Sequence, residues 1–451
     1  MPPGQSDRRK GSKAKSQSQS QSQRTRQPSK HPARKPSNDR RNLQSTKSSL
    51  NFNATIPIPL QQLVLDVFKT ALLPSNPAPA PASASQDNPE EDRNDPTIEE
   101  PLDIKTLVQT IKTHLYQRDF DSAFTDAGED LLRAYALRWS AARALGYAGL
   151  FRAVLRWMGD GNGNVGKKHD LISGNDRTRV VCVGGGAGAE IVALAAAWRS
   201  LGQKGVDSEL EGDQGLKLGS LSLDDSENGE KNEVDAKAAS SSSLSTTGLS
   251  VAAVDIADWS SVVQRLERTI KSDAVYKLRS SEYQPPLVPS EGEGDNGGGL
   301  SVSFRKDDVL SVSEDELKDV LLDTGSSSLL VTLMFTLNEL FSTSMAKTTG
   351  FLLRMTEILP SNAVLLVVDS PGSYSTLKMG KDENGAPVER NYPMKFLLDH
   401  TLLSVAEGKW ERVYTEDSRW WRRDAERLRY KVGEGAGLED MRFQLHLYRR
   451  L

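Results

Sequence analysis

Apolar residues along this chain keep two periods, and the stretches between keep neither. In PLQQLVLDVFKTALL, residues 59–73, Leu60, Leu63, Val64, Val67, Phe68, Ala71 and Leu72 recur at steps of three and four. That is the period of a helix with one apolar face, and Asp66 and Lys69 fall off it. Such a helix packs on its own domain or is offered to a partner. Residues 103–117 and 121–157 keep the same period, the second strongly so in LLRAYALRWSAARALGYAGLFRAVLRWM. From residue 177 the pattern changes to short β-branched runs: RTRVVCV, LSVAAVDIADW at 249–259, LSVSFRKDDVL at 300–310, SSLLVTLMFTLNELF and NAVLLVVDSPGSY. Runs of this kind read as strands buried on both faces of a parallel sheet. Helical stretches separate them: about residues 188–201, SSVVQRLERTI, SEDELKDVLL with Ser313 and Glu316 spaced as a capping box, and STSMAKTTGFLLRMTEILP ended by Pro360.

Five alternations of strand and helix predict an α/β, doubly wound, mostly parallel sheet. The end of the chain departs from that rhythm. KWERVYTEDSRWWRR, residues 409–423, and MRFQLHLYRRL, residues 441–451, read as strands with no crossover-length helix between them. They predict a closing antiparallel strand.

Four stretches carry no period. Residues 1–50 are Ser, Gln, Lys and Arg, with SQSQSQSQ inside; 74–96 is Pro/Ala-rich and then acidic; 205–248 is acidic and Ser-rich; 277–299 is rich in Gly, Pro and Ser. Such compositions bury too little apolar surface to order themselves. The chain therefore divides into a disordered basic tail at 1–58, an amphipathic helix at 59–73, a linker at 74–98, a helical region at 99–158 and an α/β domain at 177–451. Disordered insertions interrupt that domain at about 205–248 and 280–299.

Composition adds an asymmetry of charge. The 451 residues sum to a net charge of −4, yet residues 1–50 hold thirteen Lys or Arg against two Asp. A basic arm on an acidic body points to nucleic-acid binding or nuclear targeting, or else to a solubilising end. Cys182 is the only cysteine, and the five His stand at 31, 114, 169, 400 and 446 without ligand spacing, so neither a disulfide framework nor a metal site is expected. The opening residues form no secretory leader, and no apolar run is long enough to cross a bilayer; an intracellular protein without membrane contact is expected.

The candidate chemistry lies in VVCVGGGAGAE, residues 180–190. Glycines between a strand and a helix permit positive φ and close approach of backbone to a ligand. Gly184, Gly186 and Ala189 fit a dinucleotide fingerprint, whereas Gly184, Gly186 and Gly188 fit the first motif of class I S-adenosylmethionine-dependent methyltransferases. A structural turn without a ligand is the third reading. Asp255, ending the second strand, is placed to accept hydrogen bonds from ribose hydroxyls, or to cap a helix. Asp307 and Asp308, ending the third, are placed for an adenine amino group, or for a solvated turn. The closing strand pair favours S-adenosylmethionine over a nicotinamide cofactor.

Several segments go further: VVCVGGGAGAEIVALAAA, VDIADWSSVV, FRKDDVLS, LVTLMFTLNELFSTS, LLVVDSPGSYS, YPMKFLLDHTLL and MRFQLHLYRR. Together they resemble the fungal large-subunit ribosomal RNA uridine-N3 methyltransferases, over roughly residues 50–73 and 100–451 without the insertions. The resemblance implies a class I methyltransferase fold, S-adenosylmethionine as donor, and a uridine of large-subunit rRNA or a pre-ribosomal particle as substrate. It implies a nuclear or nucleolar location, with the cytoplasm as a further one. By the same resemblance Gly184, Gly186, Gly188, Asp255, Asp307, Asp308 and Thr336 serve the donor. Asn338 and Glu339 stand at the fourth-strand exit, where the Asn/Asp-Pro-Pro-aromatic tetrapeptide of amino-methylating relatives is missing.

N3 of uridine becomes nucleophilic when its proton leaves, so a base is required. Glu339 is the first candidate, with Asn338 holding a carbonyl or amide edge; Asp369 is the second, and Asn338 and Glu339 also suit helix capping. Tyr374 or Tyr392 could stack on a flipped base. RWWRRDAERLRYK, residues 419–431, sets six Lys/Arg against two acids and interleaves Trp420, Trp421 and Tyr430, a pattern suited to RNA or to a strand edge with buried Trp. The rival class of protein is an inactive methyltransferase-like scaffold that binds RNA or protein; a methyltransferase for another substrate is the third.

Overall fold

The computed structural model describes residues 50–74, 101–160, 177–202, 248–277, 280–289, 299–372, 374–381 and 387–451. The expected tail up to residue 49, the linker at 75–98, the insertion at 205–247 and residues 290–298 of the second insertion lie outside them. Helix α1 spans Ile58–Leu72 and α2 spans Ile104–Gln117, opened by Asp103, whose carboxylate accepts the Thr106 amide at 3.1 Å. A π-turn at Asp121–Thr125 precedes α3, Glu129–Tyr135. A second π-turn, Ala136–Ser140, runs on into α4, Ala141–Gly159. The single helix expected over 121–157 is thus broken before residue 129 and bulged in its middle.

The sheet domain follows: β1 (Arg177–Val183), α5 (Ala189–Gly202), β2 (Gly248–Asp255), α6 (Ser260–Ile270), β3 (Leu300–Lys306), α7 (Glu314–Leu321), β4 (Ser326–Met334), α8 (Leu337–Thr343), α9 (Met345–Ile358) and β5 (Val364–Asp369). Then come β6 (Tyr374–Lys381), β7 (Pro387–Pro393), α10 (Met394–Asp399), a π-turn at His400–Val405, β8 (Trp410–Trp421) and β9 (Met441–Arg450). Seven strands form one sheet in the order β3-β2-β1-β4-β5-β9-β8, and β6 and β7 pair apart from it as a hairpin. The first five strands are parallel and β9 is antiparallel to both neighbours. The hairpin has no counterpart in the sequence expectations. Its residues lack the apolar alternation that marks a strand buried in a sheet.

Period-two alternation sorts the strand side chains into two cores. Val180 and Cys182 face a layer built from α1, α4, α5 and α6, while Val181 and Val183 face α7, α9 and α10. Three expectations are revised by that packing. Asp66 is buried, and burial raises its carboxyl above the ordinary range while Lys69 and Gln62 pull it back. The helix α1 is therefore enclosed nearly all round rather than along one face. Residues 50–57, expected within the tail, pack on β8: Leu50, Phe52 and Ile56 are buried, and the Phe52 ring lies 4.8 Å from Tyr414. Residues 280–289, expected as disordered insertion, bury Tyr283, Leu287 and Val288. Arg199 of α5 holds them from below, donating to the carbonyls of Pro286 and Leu287.

Candidate active site

Strand order reverses between β1 and β4, and ligands of such sheets bind at the carboxyl ends beside that switch. The glycine turn lies there. Gly184 and Gly188 adopt φ of 77° and 81°, the left-handed region that a side chain disfavours. The turn is also enclosed on its Cβ side. A methyl group at Gly184 would collide with Thr336, one at Gly186 with the Trp259 ring, and one at Gly188 with Leu266. The glycines thus admit the neighbouring elements as well as positive φ, so the turn has a packing role whatever it binds. Gly184 and Ala187 keep partial exposure on the outer side.

Asp255 ties the turn to β2. Its Oδ2 accepts the Gly186 amide at 3.1 Å and its Oδ1 accepts the Ala257 amide at 3.2 Å. Burial raises this carboxyl, and those amides together with Trp259 pull it down. Beside it Ile256 is 52% exposed, an apolar face that the sequence patterns did not flag. The Asp307 amide donates to the Asp255 carbonyl at 2.8 Å, and the Asp307 carboxylate pairs with Arg305. Asp308 instead shapes its own turn, accepting the Leu310 amide at 2.9 Å and the Ser311 hydroxyl at 2.6 Å.

The exit of β4 is strained. Phe335 takes φ of 59°, rare for an aromatic residue, and its amide donates to the Val368 carbonyl at 2.6 Å. Thr336 follows, against Gly184, and then α8 begins. The α8 amide of Asn338 donates to Asp369 Oδ2 at 2.9 Å, so the helix is capped by the fifth strand and not by Asn338 or Glu339. Asp369 is 3% exposed. Burial pushes its carboxyl up to about 6, against the amides of Asn338 and Ser370, with Glu339 adding to the rise and Arg143 opposing it. Glu339 has an exposed side chain, yet partial burial of its carboxyl raises it above the ordinary range, with the Asn338 side chain and Arg118 opposing the rise. Asn338 Oδ1 is buried with no hydrogen-bond partner among the described residues. An acceptor in that state costs about 1–3 kcal/mol unless a ligand donates to it.

Two charged groups escaped the sequence patterns. Glu190 lies fully under the glycine turn, its carboxyl pushed up to about 7 by burial although the Thr332 hydroxyl and Cys182 donate to it. Arg143, from α4, reaches the same cleft and influences Asp369. A helical residue spaced with apolar neighbours carries no local mark of either role. Tyr374 and Tyr392 sit instead on the β6–β7 hairpin, Tyr374 exposed and Tyr392 stacked on Phe396 at 5.5 Å. Of the aromatics in 419–431, Trp421 and Tyr430 are buried, and Trp420 alone is exposed. Among the described residues no group of three or more His, Cys, Asp or Glu is placed to hold a metal ion, and no helix is long and apolar enough to cross a membrane.

A parallel sheet with one reversed strand near its edge, a glycine turn after β1 and an acid ending β2 define a class I S-adenosylmethionine-dependent methyltransferase. The donor fits these residues: a partly exposed carboxylate at the end of β2 for the ribose, an apolar Ile256 beside it, and an unpartnered Asn338 oxygen at the exit of β4. Residues 86–449 match the family described as "Putative SAM-dependent methyltransferase", and the chain belongs to that family. A curated relative from Saccharomyces cerevisiae, 25S rRNA (uridine(2843)-N(3))-methyltransferase, is 32% identical over 347 residues, 76% of each chain. Solved structures of S-adenosylmethionine-dependent enzymes overlap more loosely. One from Methanosarcina mazei has a TM-score of 0.28 at 10% identity, covering 63% of this chain and 96% of its own. A Burkholderia thailandensis 1,6-didemethyltoxoflavin-N1-methyltransferase has 0.27 at 11%, covering 83% and 99%. It is the strand order, and not overlaps of that quality, that defines the fold.

Proposed function

We propose that this enzyme methylates N3 of a uridine in large-subunit rRNA, within a pre-ribosomal particle and in the nucleus or nucleolus. The observation that carries this is the relative named for that reaction, 32% identical over 76% of the chain. The site's chemistry supports it. Bound S-adenosylmethionine supplies an electrophilic methyl group on a positively charged sulfur. The chain's own residues must then free a lone pair on an imide nitrogen. Asp369, titrating near 6, is ionised at neutral pH and only modestly weaker than an ideal base, so it takes the N3 proton. This displaces Glu339, whose exposure leaves it less tuned. Asn338, whose amide is held by Asp369 and whose carboxamide is partly buried beside it, positions the uridine ring for that transfer. N3 lies on the pairing edge, so the nucleotide enters unpaired.

The rim of the sheet supports RNA. β8 runs parallel to β5, so Trp420 lies at the same end as Asp369, two strands away and roughly 10 Å across the sheet. Its ring is 51% exposed, with the guanidinium of Arg422 at 4.0 Å and that of Arg442 at 5.7 Å from its centroid. A ring held between two cations offers a base both stacking and phosphate charge. The basic residues 1–50 add affinity that weakens with salt. Mass mapping of 3-methyluridine in 25S rRNA, from cells with and without the protein, tests the proposal. One methylated uridine disappears on deletion and returns with the wild-type chain but not with Asp369→Asn. An unchanged rRNA map would overturn it.

A further inference from the structure

One cation in the cleft is not used by this mechanism. Arg143 is partly buried, and among the described residues its only hydrogen bond goes to a neutral group, the Tyr135 hydroxyl at 2.9 Å. No carboxylate among the described residues lies within ion-pair distance of it. A guanidinium carries five N–H donors in a flat fork, so most of its capacity is unspent. Aromatic faces wall it in: the Phe335 ring centroid is 5.3 Å away and that of Tyr135 5.9 Å, with Tyr147 stacked on Phe335 at 6.5 Å. Burial works against its charge, but Tyr135, Tyr147 and Asp369 more than offset that, so the group stays protonated.

Its location follows from the residues it touches. Phe335 precedes Thr336, which lies against Gly184. Tyr135 packs on Trp259 at 5.7 Å, and Trp259 lies against Gly186. Arg143 is therefore bracketed by contacts to both flanks of the glycine turn. The helix is shaped for this. Tyr135, Trp139, Arg143 and Tyr147 recur every four residues, a step that overshoots a turn of ~3.6 residues by ~40°. The π-turn at Ala136–Ser140, with its wider bonding, takes up part of that drift and keeps the four side chains on one stripe.

We propose that Arg143 clamps the α-carboxylate of the methyl donor, with Tyr135 and Phe335 fixing the plane of its fork. A bidentate guanidinium–carboxylate pair is strong in a site shielded by rings. The donor's ribose end would be held by Asp255 and its amino-acid end by a helix outside the sheet domain. This rests on the donor and not on the RNA substrate, so it survives or fails independently of the uridine reading.

Calorimetric titration of the full chain with S-adenosylhomocysteine, and with its analogue lacking only the carboxylate, tests it. The wild type should prefer the carboxylate-bearing ligand by about ten- to a hundredfold. Arg143→Gln should reduce that preference to within about threefold while leaving the decarboxylated analogue's affinity unchanged, which also reports an intact fold. Arg143→Lys, which keeps the charge without the fork, should retain an intermediate preference. Equal loss with both ligands, or an undiminished preference in Arg143→Gln, overturns the assignment. So does a wild type indifferent to the carboxylate, whatever the variants do.

Discussion

Replacing Asp369 by asparagine separates a tuned acid from a merely buried one. In the folded protein this carboxyl titrates at about 6, against 3.8 for an ordinary aspartate. Between those values the native state holds a proton that the unfolded chain has released, so the group's contribution to stability falls as pH rises through the window. That displacement corresponds to roughly 3 kcal/mol in full, and about 2 kcal/mol of it is lost between pH 4.5 and pH 7.5. The side chain is 3% exposed, so solvent screening removes little of this. The carboxamide introduced by Asp369→Asn would carry no charge at either pH. It would still oppose two amide donors, those of Asn338 at 2.9 Å and Ser370 at 2.7 Å, with only one oxygen, a pH-independent cost of about 1–3 kcal/mol. Urea unfolding of both proteins at the two pH values measures the difference. The variant should gain about 2 kcal/mol relative to wild type on going from pH 4.5 to 7.5, and should lose methyl transfer at every pH while still binding donor. A stability gap constant with pH would refute the reasoning, because it would mean that the carboxyl titrates alike in both states.

Three further outcomes follow from contacts in the site. Gly186→Ala pushes a methyl group into Trp259, and should cost about 1–3 kcal/mol of stability and weaken donor binding; adding Trp259→Leu should recover part of both, and no recovery would dismiss the packing account. Asp255→Ala frees the Gly186 and Ala257 amides and removes the carboxylate proposed to hold the ribose, so calorimetric donor affinity should fall more than tenfold; unchanged affinity would count against Asp255. Trp420→Ala should weaken binding of an rRNA fragment by about 1–3 kcal/mol in a filter or anisotropy assay without altering donor affinity, and equal RNA affinity would remove Trp420 from the interface.

The positions of some candidate residues were readable one by one. The glycine turn, Asp255 and Asp307 follow β-branched runs, and both signals are local: strand burial shows as unbroken apolar sequence, and turn chemistry shows as glycine and acid. Asp308 illustrates the limit. Its neighbour Asp307 is bonded at its amide to the Asp255 carbonyl, whereas its own oxygens are spent on Leu310 and Ser311, and nothing in the dipeptide distinguishes them. Glu339 and Asp369 differ in the same way. Both are acids at strand exits, yet one is exposed and the other enclosed.

The order of apolar and small residues alone determined that this chain alternates strand and helix, closes with a reversed strand, and places a glycine turn between its first strand and the helix that follows. Those features depend on neighbours within a few positions. Which acid is desolvated, which glycine faces Trp259 and which distant arginine enters the cleft were decided only by tertiary packing. Burial, and with it the free energy of a charge, is set by segments that meet in space: α8 against β5, α4 across the turn. No window of sequence contains both partners.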